Sequence, residues 1–144
     1  MKIETFLKQS PLFEISRAAR RLESHVSHDQ VGFLEGLVLV SILFEKPLTV
    51  SPSRLAEVFS TTRGNISHCV SSLEAKGLLG RRIDPGDART YRLSLKPEGK
   101  KVAMQWIRTL DRMQTNFEKT IGATKLQAAL DVVRQVEQIC SAKP

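Results

Sequence analysis

Apolar residues recur along this chain at two spacings. Up to Leu73 and again after Pro97 they return mostly every three or four positions, the helical period, whereas between Leu78 and Leu95 they alternate, the strand period. Ile3, Phe6 and Leu7 make a short helical arm. Ser10-Pro11 then reads as an N-cap with a first-turn proline, opening a helix to about His28 whose Ile15, Ala18, Ala19, Leu22 and Val26 form one stripe. Asp29 to Glu45 is apolar almost all round, which predicts a buried helix, and Gly32 and Gly36, one turn apart, leave room for a close neighbour. Leu48, Thr49 and Val50, after Pro47, are expected to form a short strand.

Ser51 and Pro52 can cap and start a short helix with Leu55, Ala56 and Phe59 on one side, and Ser60-Thr61 is then a tight connection. A longer helix runs from the N-cap Thr62 to the C′ residue Gly77. Its wheel places Ile66, Val70 and Leu73 along one line with Cys69 at the edge. The opposite face carries Gly64, His68, Ser71 and Ala75, flanked by Asn65, Ser67 and Ser72, and Glu74 is the helix's only carboxylate. A small, polar face almost free of acid can approach base edges without repelling phosphate. Short helix, tight turn, longer helix is the helix-turn-helix pattern.

Leu78 to Ile83 and Thr90 to Leu95 read as strands around the turn formers Asp84 to Arg89, giving a β-hairpin. Leu79, Ile83, Tyr91, Leu93 and Leu95 are expected against the helices, with Arg82, Arg92 and the tip residue Arg89 outside. Pro97-Glu98 starts a long helix with Ala103, Trp106, Ile107, Leu110, Met113, Phe117 and Ile121 on its stripe, ended by Gly122. Thr124 can cap a last helix carrying Leu126, Ala129, Leu130, Val133, Val136 and Ile139. A compact core cannot cover stripes this long, so pairing of the terminal helices across a two-fold axis is expected.

The stretch Leu55 to Gly99 resembles the DNA-binding core of the MarR family of transcriptional regulators. The resemblance is carried by the L-A-E opening, by Leu73, Glu74, Lys76, Gly77 and Leu78, by the wing residues Asp84, Pro85, Asp87 and Arg89, and by Leu95, Pro97, Glu98 and Gly99. It implies a mainly α fold with a small β-hairpin: a winged helix-turn-helix core, residues 31–96, flanked by an N-terminal arm and dimerisation helix, 1–30, and by C-terminal dimerisation helices, 97–144. It further implies a homodimer that sets two recognition helices into successive major grooves of double-stranded DNA, about 34 Å apart, and so reads a pseudo-palindrome, most often as a repressor. On that basis Thr62, Arg63, Gly64, Asn65, Ser67, His68, Ser71 and Ser72 are the recognition-helix candidates. Arg82, Asp87, Arg89 and Arg92 are those of the wing, with Asp87 orienting Arg89. Gly64 departs from the family pattern, where proline is common, and Ala88 stands where a second wing arginine is common. The resemblance also implies a small aromatic-anion effector; Trp106, Phe33, Phe44 and Arg17 are of a suitable kind, though core packing explains the aromatics equally well.

Charge sharpens this picture. The net charge is +7, from 22 Lys and Arg against 15 Asp and Glu. Lys76, Arg81, Arg82, Arg89, Arg92, Lys96, Lys100 and Lys101 face only Asp84, Asp87 and Glu98 between positions 76 and 101, so the excess surrounds the wing and points to a polyanion. Cys69 and Cys140 lie on different helices without C-x-x-C spacing; Cys69 reads as apolar filler, with redox sensing the alternative. His25 and His28 sit three apart beside Asp29, but no third metal ligand is evident, and neither metal nor cofactor is expected. No G-x-S-x-G, P-loop, G-x-G-x-x-G or H-E-x-x-H motif occurs, so an enzyme is not expected. The N-terminus lacks a signal-peptide pattern and the longest apolar run, Val31 to Phe44, contains Glu35 and is too short to span a bilayer, so a cytoplasmic protein with no membrane partner is expected. The alternative to a sequence-specific regulator is a winged-helix module that docks protein or remodels nucleoprotein without reading bases.

Overall fold

Side-chain caps set the starts of the two helices of the helix-turn-helix, whereas Ser10, which stands at its expected N-cap position, makes no capping bond with its side chain. A computed structural model of the chain describes residues 2–27, 30–45 and 49–142. Its elements are α1 (Ile3–Lys8), α2 (Pro11–Val26), α3 (Phe33–Phe44), α4 (Pro52–Val58), α5 (Arg63–Ala75), β1 (Leu79–Asp84), β2 (Asp87–Leu95), α6 (Pro97–Ile121) and α7 (Ala123–Ser141). Ser51 Oγ accepts from Arg54 N at 3.4 Å and Thr62 Oγ1 from Asn65 N at 3.1 Å, so both helices of the helix-turn-helix carry side-chain caps. At the other end of α5, Gly77 takes φ +72° while Leu78 N donates to Leu73 O and Gly77 N to Glu74 O, a Schellman closure that turns the chain straight into β1.

Ile66, Cys69, Val70 and Leu73 of α5 are buried, as the wheel predicts. They share a core with Val38, Leu39 and Ile42 of α3, Leu55 and Ala56 of α4, Leu79 and Leu93 of the hairpin, and Ala103 and Trp106 of α6. Gly36 is the close approach: a Cβ there would stand 2.2 Å from Trp106 Cε2. Gly32 has no such neighbour; its nearest is Glu35 Oε2 at 3.8 Å. It is instead the N-cap of α3, with its N–H donating to Glu35 Oε2 at 2.8 Å, which starts the helix at Phe33 rather than in the Asp29 region.

Several sequence expectations are corrected. Among the described residues Thr49 and Val50 form no strand and the sheet has two strands; Leu93 N donates to Val50 O at 3.2 Å at the place of the expected strand, and Leu48 lies outside the described residues. Gly122, at φ +93°, is the N-cap of α7, so Thr124 falls inside the helix, because glycine accepts the left-handed turn between α6 and α7. Ile83 is 67% exposed: β1 leaves the body before its end, and only Leu79 and Leu93 are fully covered. His28 and Asp29 lie outside the described residues.

The chain divides into two compact units, Met1–Ile107 and Arg108–Pro144. In the first, Ile3, Phe6, Leu12, Ile15 and Leu22 of α1 and α2 are exposed. In the second, Ile121, Leu130, Val132, Val133 and Ile139 are exposed. Much of the apolar surface of α1, α2 and α7 is therefore exposed in a single chain, whereas Val26 of α2 and Ala103 and Trp106 of α6, expected on the same stripes, are buried.

Candidate nucleic-acid interface

The outward face of α5 consists of small polar side chains on a capped helix. Arg63, Gly64, Asn65, Ser67, His68 and Ser71 are exposed, the N-cap Thr62 is exposed, and Ser72 is half-buried. Asn65 Nδ2 donates to Thr61 Oγ1 at 3.0 Å, which fixes the amide against the preceding turn. The free N–H groups of the first turn add partial positive charge where Arg63 already stands.

The hairpin beside it is antiparallel, with Leu79 opposite Leu95, Arg81 opposite Leu93, Arg82 opposite Arg92 and Ile83 opposite Tyr91, and an irregularity at Ile83/Asp84. Its tip is held by two Asx turns: Asp84 Oδ1 accepts from Gly86 N and Asp87 Oδ1 from Arg89 N, each at 2.9 Å. Asp87 thus shapes the backbone under Arg89 rather than pairing with its guanidinium. Arg82 and Arg92 are like charges directly across the ladder, an arrangement that destabilises a hairpin unless something neutralises it. Asp84 answers one of them, at 3.1 Å from Arg92 Nη2. Arg92 Nη1 also reaches Thr49 O at 3.4 Å, so its charge is partly spent inside the protein, contrary to the expected outward placement. Arg63, Arg82 and Arg89 meet no carboxylate among the described residues.

These elements converge on a cleft of about 210 Å³ lined by Ser51, Pro52, Ser53, Arg63, Ser67, Arg89, Thr90, Tyr91 and Arg92. Three guanidinium groups and five hydroxyls line it, and no acid does among the described residues. Such a surface suits phosphate oxygens. Ser51, Ser53, Thr90 and Tyr91 were not among the sequence candidates. Ser51 and Ser53 were legible in principle, since the start of α4 and the start of α5 are brought together by the helix-turn-helix itself.

A second cleft, of about 660 Å³, is lined by Gln30, Val31, Lys76, Leu78, Val102, Gln105 and Trp106. Of the suggested effector residues only Trp106 lines it. Phe33 packs on Trp106 with ring centroids 6.0 Å apart, Arg17 pairs with Glu14 at 2.8 Å, and Phe44 is exposed. The described residues hold no group of three or more His, Cys, Asp or Glu placed for a metal, and none of their helices is long and apolar enough to cross a membrane.

The model of the MarR family matches residues 34–91, from α3 through the wing. This stretch is a MarR-family domain. The PcaV transcriptional regulator from Streptomyces coelicolor, solved in complex with its natural ligand, is similar over 95% of this chain and 96% of its own, with 23% identity and a TM-score of 0.81. MepR from S. aureus, solved as a DNA complex, is similar over 90% of this chain and 98% of its own, with 15% identity and a TM-score of 0.78. A MarR transcriptional regulator from Methanosarcina mazei Go1 shows 16% identity and a TM-score of 0.72 over 90% of this chain and 96% of its own. No curated protein sequence matches the chain. At these identities the likeness carries the fold: almost the whole chain has the winged-helix architecture of MarR transcriptional regulators, with the matched domain at its centre.

Proposed function

We propose that this protein is a dimeric, sequence-specific DNA-binding regulator of transcription, acting in the cytoplasm as a repressor on a pseudo-palindromic operator. The observation that carries the reading is the acid-free cationic cleft joining the start of α5 to the wing, set beside the exposed polar face of α5. Arg63, Arg82 and Arg89, with Arg92 partly engaged, supply phosphate contacts. Thr62, Gly64, Asn65, Ser67, His68 and Ser71 face the bases, and Asp87 holds the wing tip; Ser72, expected among them, is half-buried with its hydroxyl bonded to Glu35 of α3. MepR, whose fold this chain shares, was solved with DNA bound.

Residues 31–96 act as the DNA-binding core, and residues 1–30 and 97–144 as the dimerisation segments. The exposed apolar positions of α1, α2 and α7 support the pairing, since solvated stripes of this length are unfavourable in a lone chain. Two-fold pairing places two copies of α5 about one turn of DNA apart. The 660 Å³ cleft is of a size for a small aromatic ligand, with Trp106 as a wall, although the Lys76 ammonium that lines it is already paired with Glu35, and PcaV was solved with a natural ligand.

Selection of bound sites from random duplex tests the reading. A regulator of this kind enriches one inverted repeat and prefers it over bulk DNA by about 10³ or more. Binding without any preferred sequence overturns it in favour of a non-specific nucleoprotein or protein-docking module.

A further inference from the structure

Arg81 is the hairpin arginine that turns inward. Its Nε donates to Glu74 Oε2 at 2.9 Å, its Nη2 donates to Ser71 Oγ at 2.8 Å, and its Cζ lies 4.8 Å from the centroid of the Tyr91 ring. One planar group therefore touches α5 at two positions and the neighbouring strand at a third. Tyr91 stands opposite Ile83, so Arg81 reaches it along the diagonal of a shared face. A lysine has neither the fork nor the flat face to make all three contacts.

Little else ties the outer half of the hairpin to α5. Leu79 and Leu93 are buried at its base, while Ile83, Pro85, Gly86, Asp87, Ala88 and Arg89 are exposed. Arg92 fastens the other face, but to Thr49, ahead of α4. A two-stranded hairpin standing alone is only marginally ordered. Glu74 is also accounted for: a carboxylate on a helix that faces a polyanion is unfavourable, and here its charge is answered by Arg81.

We propose that Arg81 is a positioning residue that sets the wing at a fixed distance and angle from α5, so that Arg89 meets the duplex at a defined number of base pairs from the bases α5 reads. The brace selects the operator spacing at which wing and helix engage together. This rests on the DNA-binding reading above.

Glu74→Ala separates the brace from simple charge. Removing a negative charge near DNA predicts tighter binding, whereas loss of the brace predicts operator binding weaker by about three- to tenfold. Because the loss acts through Arg89, Glu74→Ala adds almost nothing in an Arg89→Ala background, and Arg81→Lys falls between wild type and Glu74→Ala. Tighter binding, or full additivity with Arg89→Ala, overturns the proposal. Amide hydrogen exchange on the free protein gives an arm independent of DNA: faster exchange across residues 82–91 at an unchanged thermal midpoint supports the brace, and unaltered exchange sinks it. Should wild type select no sequence, the DNA-binding reading falls while the exchange result still decides whether Arg81 holds the wing.

Discussion

Lys76 Nζ lies 2.9 Å from both carboxylate oxygens of Glu35. The pair joins the C-cap of α5 to the first turn of α3, and Lys76 also donates to the carbonyl of Gln30. Glu35 accepts from the Ser72 hydroxyl and from Gly32 N, so one carboxylate caps one helix and restrains the end of another. Burial pushes its pKa up, but Ser72, Lys76 and Gly32 outweigh that and hold it below the ordinary value.

A depressed folded pKa means that the contribution of Glu35 is whole above its unfolded value, about 4.3, and is lost as pH falls through the lower folded value. Glu35→Gln is expected to lower stability by about 2 kcal/mol near neutral pH. The gap between variant and wild type closes as pH falls below about 4. Urea unfolding of both proteins across this range checks it, and a gap that is constant with pH contradicts the assignment.

Gly36→Ala is expected to cost about 1–3 kcal/mol, since the added methyl meets Trp106 2.2 Å away and a buried ring cannot give cheaply. Near-ultraviolet circular dichroism should change with it. Gly99→Ala is the harsher substitution, because its Cβ would stand 1.9 Å from the backbone oxygen of Leu78.

The two cysteines should differ sharply toward a thiol reagent. Cys140 is exposed, whereas Cys69 is buried, and burial together with the Glu35 carboxylate pushes its pKa up against the pull of Lys76. One thiol per folded chain should alkylate quickly and the second only on unfolding. Peroxide should leave DNA binding unchanged; a binding loss that Cys69→Ser abolishes would revive the redox alternative.

Arginines of the wing should separate by their partners. Arg82→Ala and Arg89→Ala are expected to lower the slope of log affinity against log salt by about 0.9 each. Arg92, held by Asp84 and Thr49, should lower it less and destabilise the hairpin more. Equal slopes for all three would show that the ion pair with Asp84 opens on the duplex.

Much of this was legible from residue order. Caps and breakers act within a few residues, so the limits of α4 and α5 and the Gly77 closure were readable from Ser51-Pro52, Thr62 and Gly77, whereas the hairpin turn is tighter than the expected Asp84 to Arg89, because β2 already begins at Asp87. Periodicity likewise assigned Ile66, Val70 and Leu73 to the core. Periodicity failed at Ile83, because alternation says which residues share a face and not where the body beneath that face stops. It also missed the division of labour among arginines. Arg81 and Arg92 look like Arg82 and Arg89 in sequence, and only the approach of Glu74, Asp84 and Thr49 distinguishes them.

The chain's own order of residues determined the helix-turn-helix, its wing, the acid-poor face of α5 and the excess of positive charge, since each follows from local spacing or composition. Tertiary structure alone decided which cations remain available to a polyanion, which hydroxyls line the cleft with them, and that one carboxylate joins α3 to α5. Those outcomes depend on contacts between residues far apart in the chain, whose energies are set by distance and burial rather than by sequence separation.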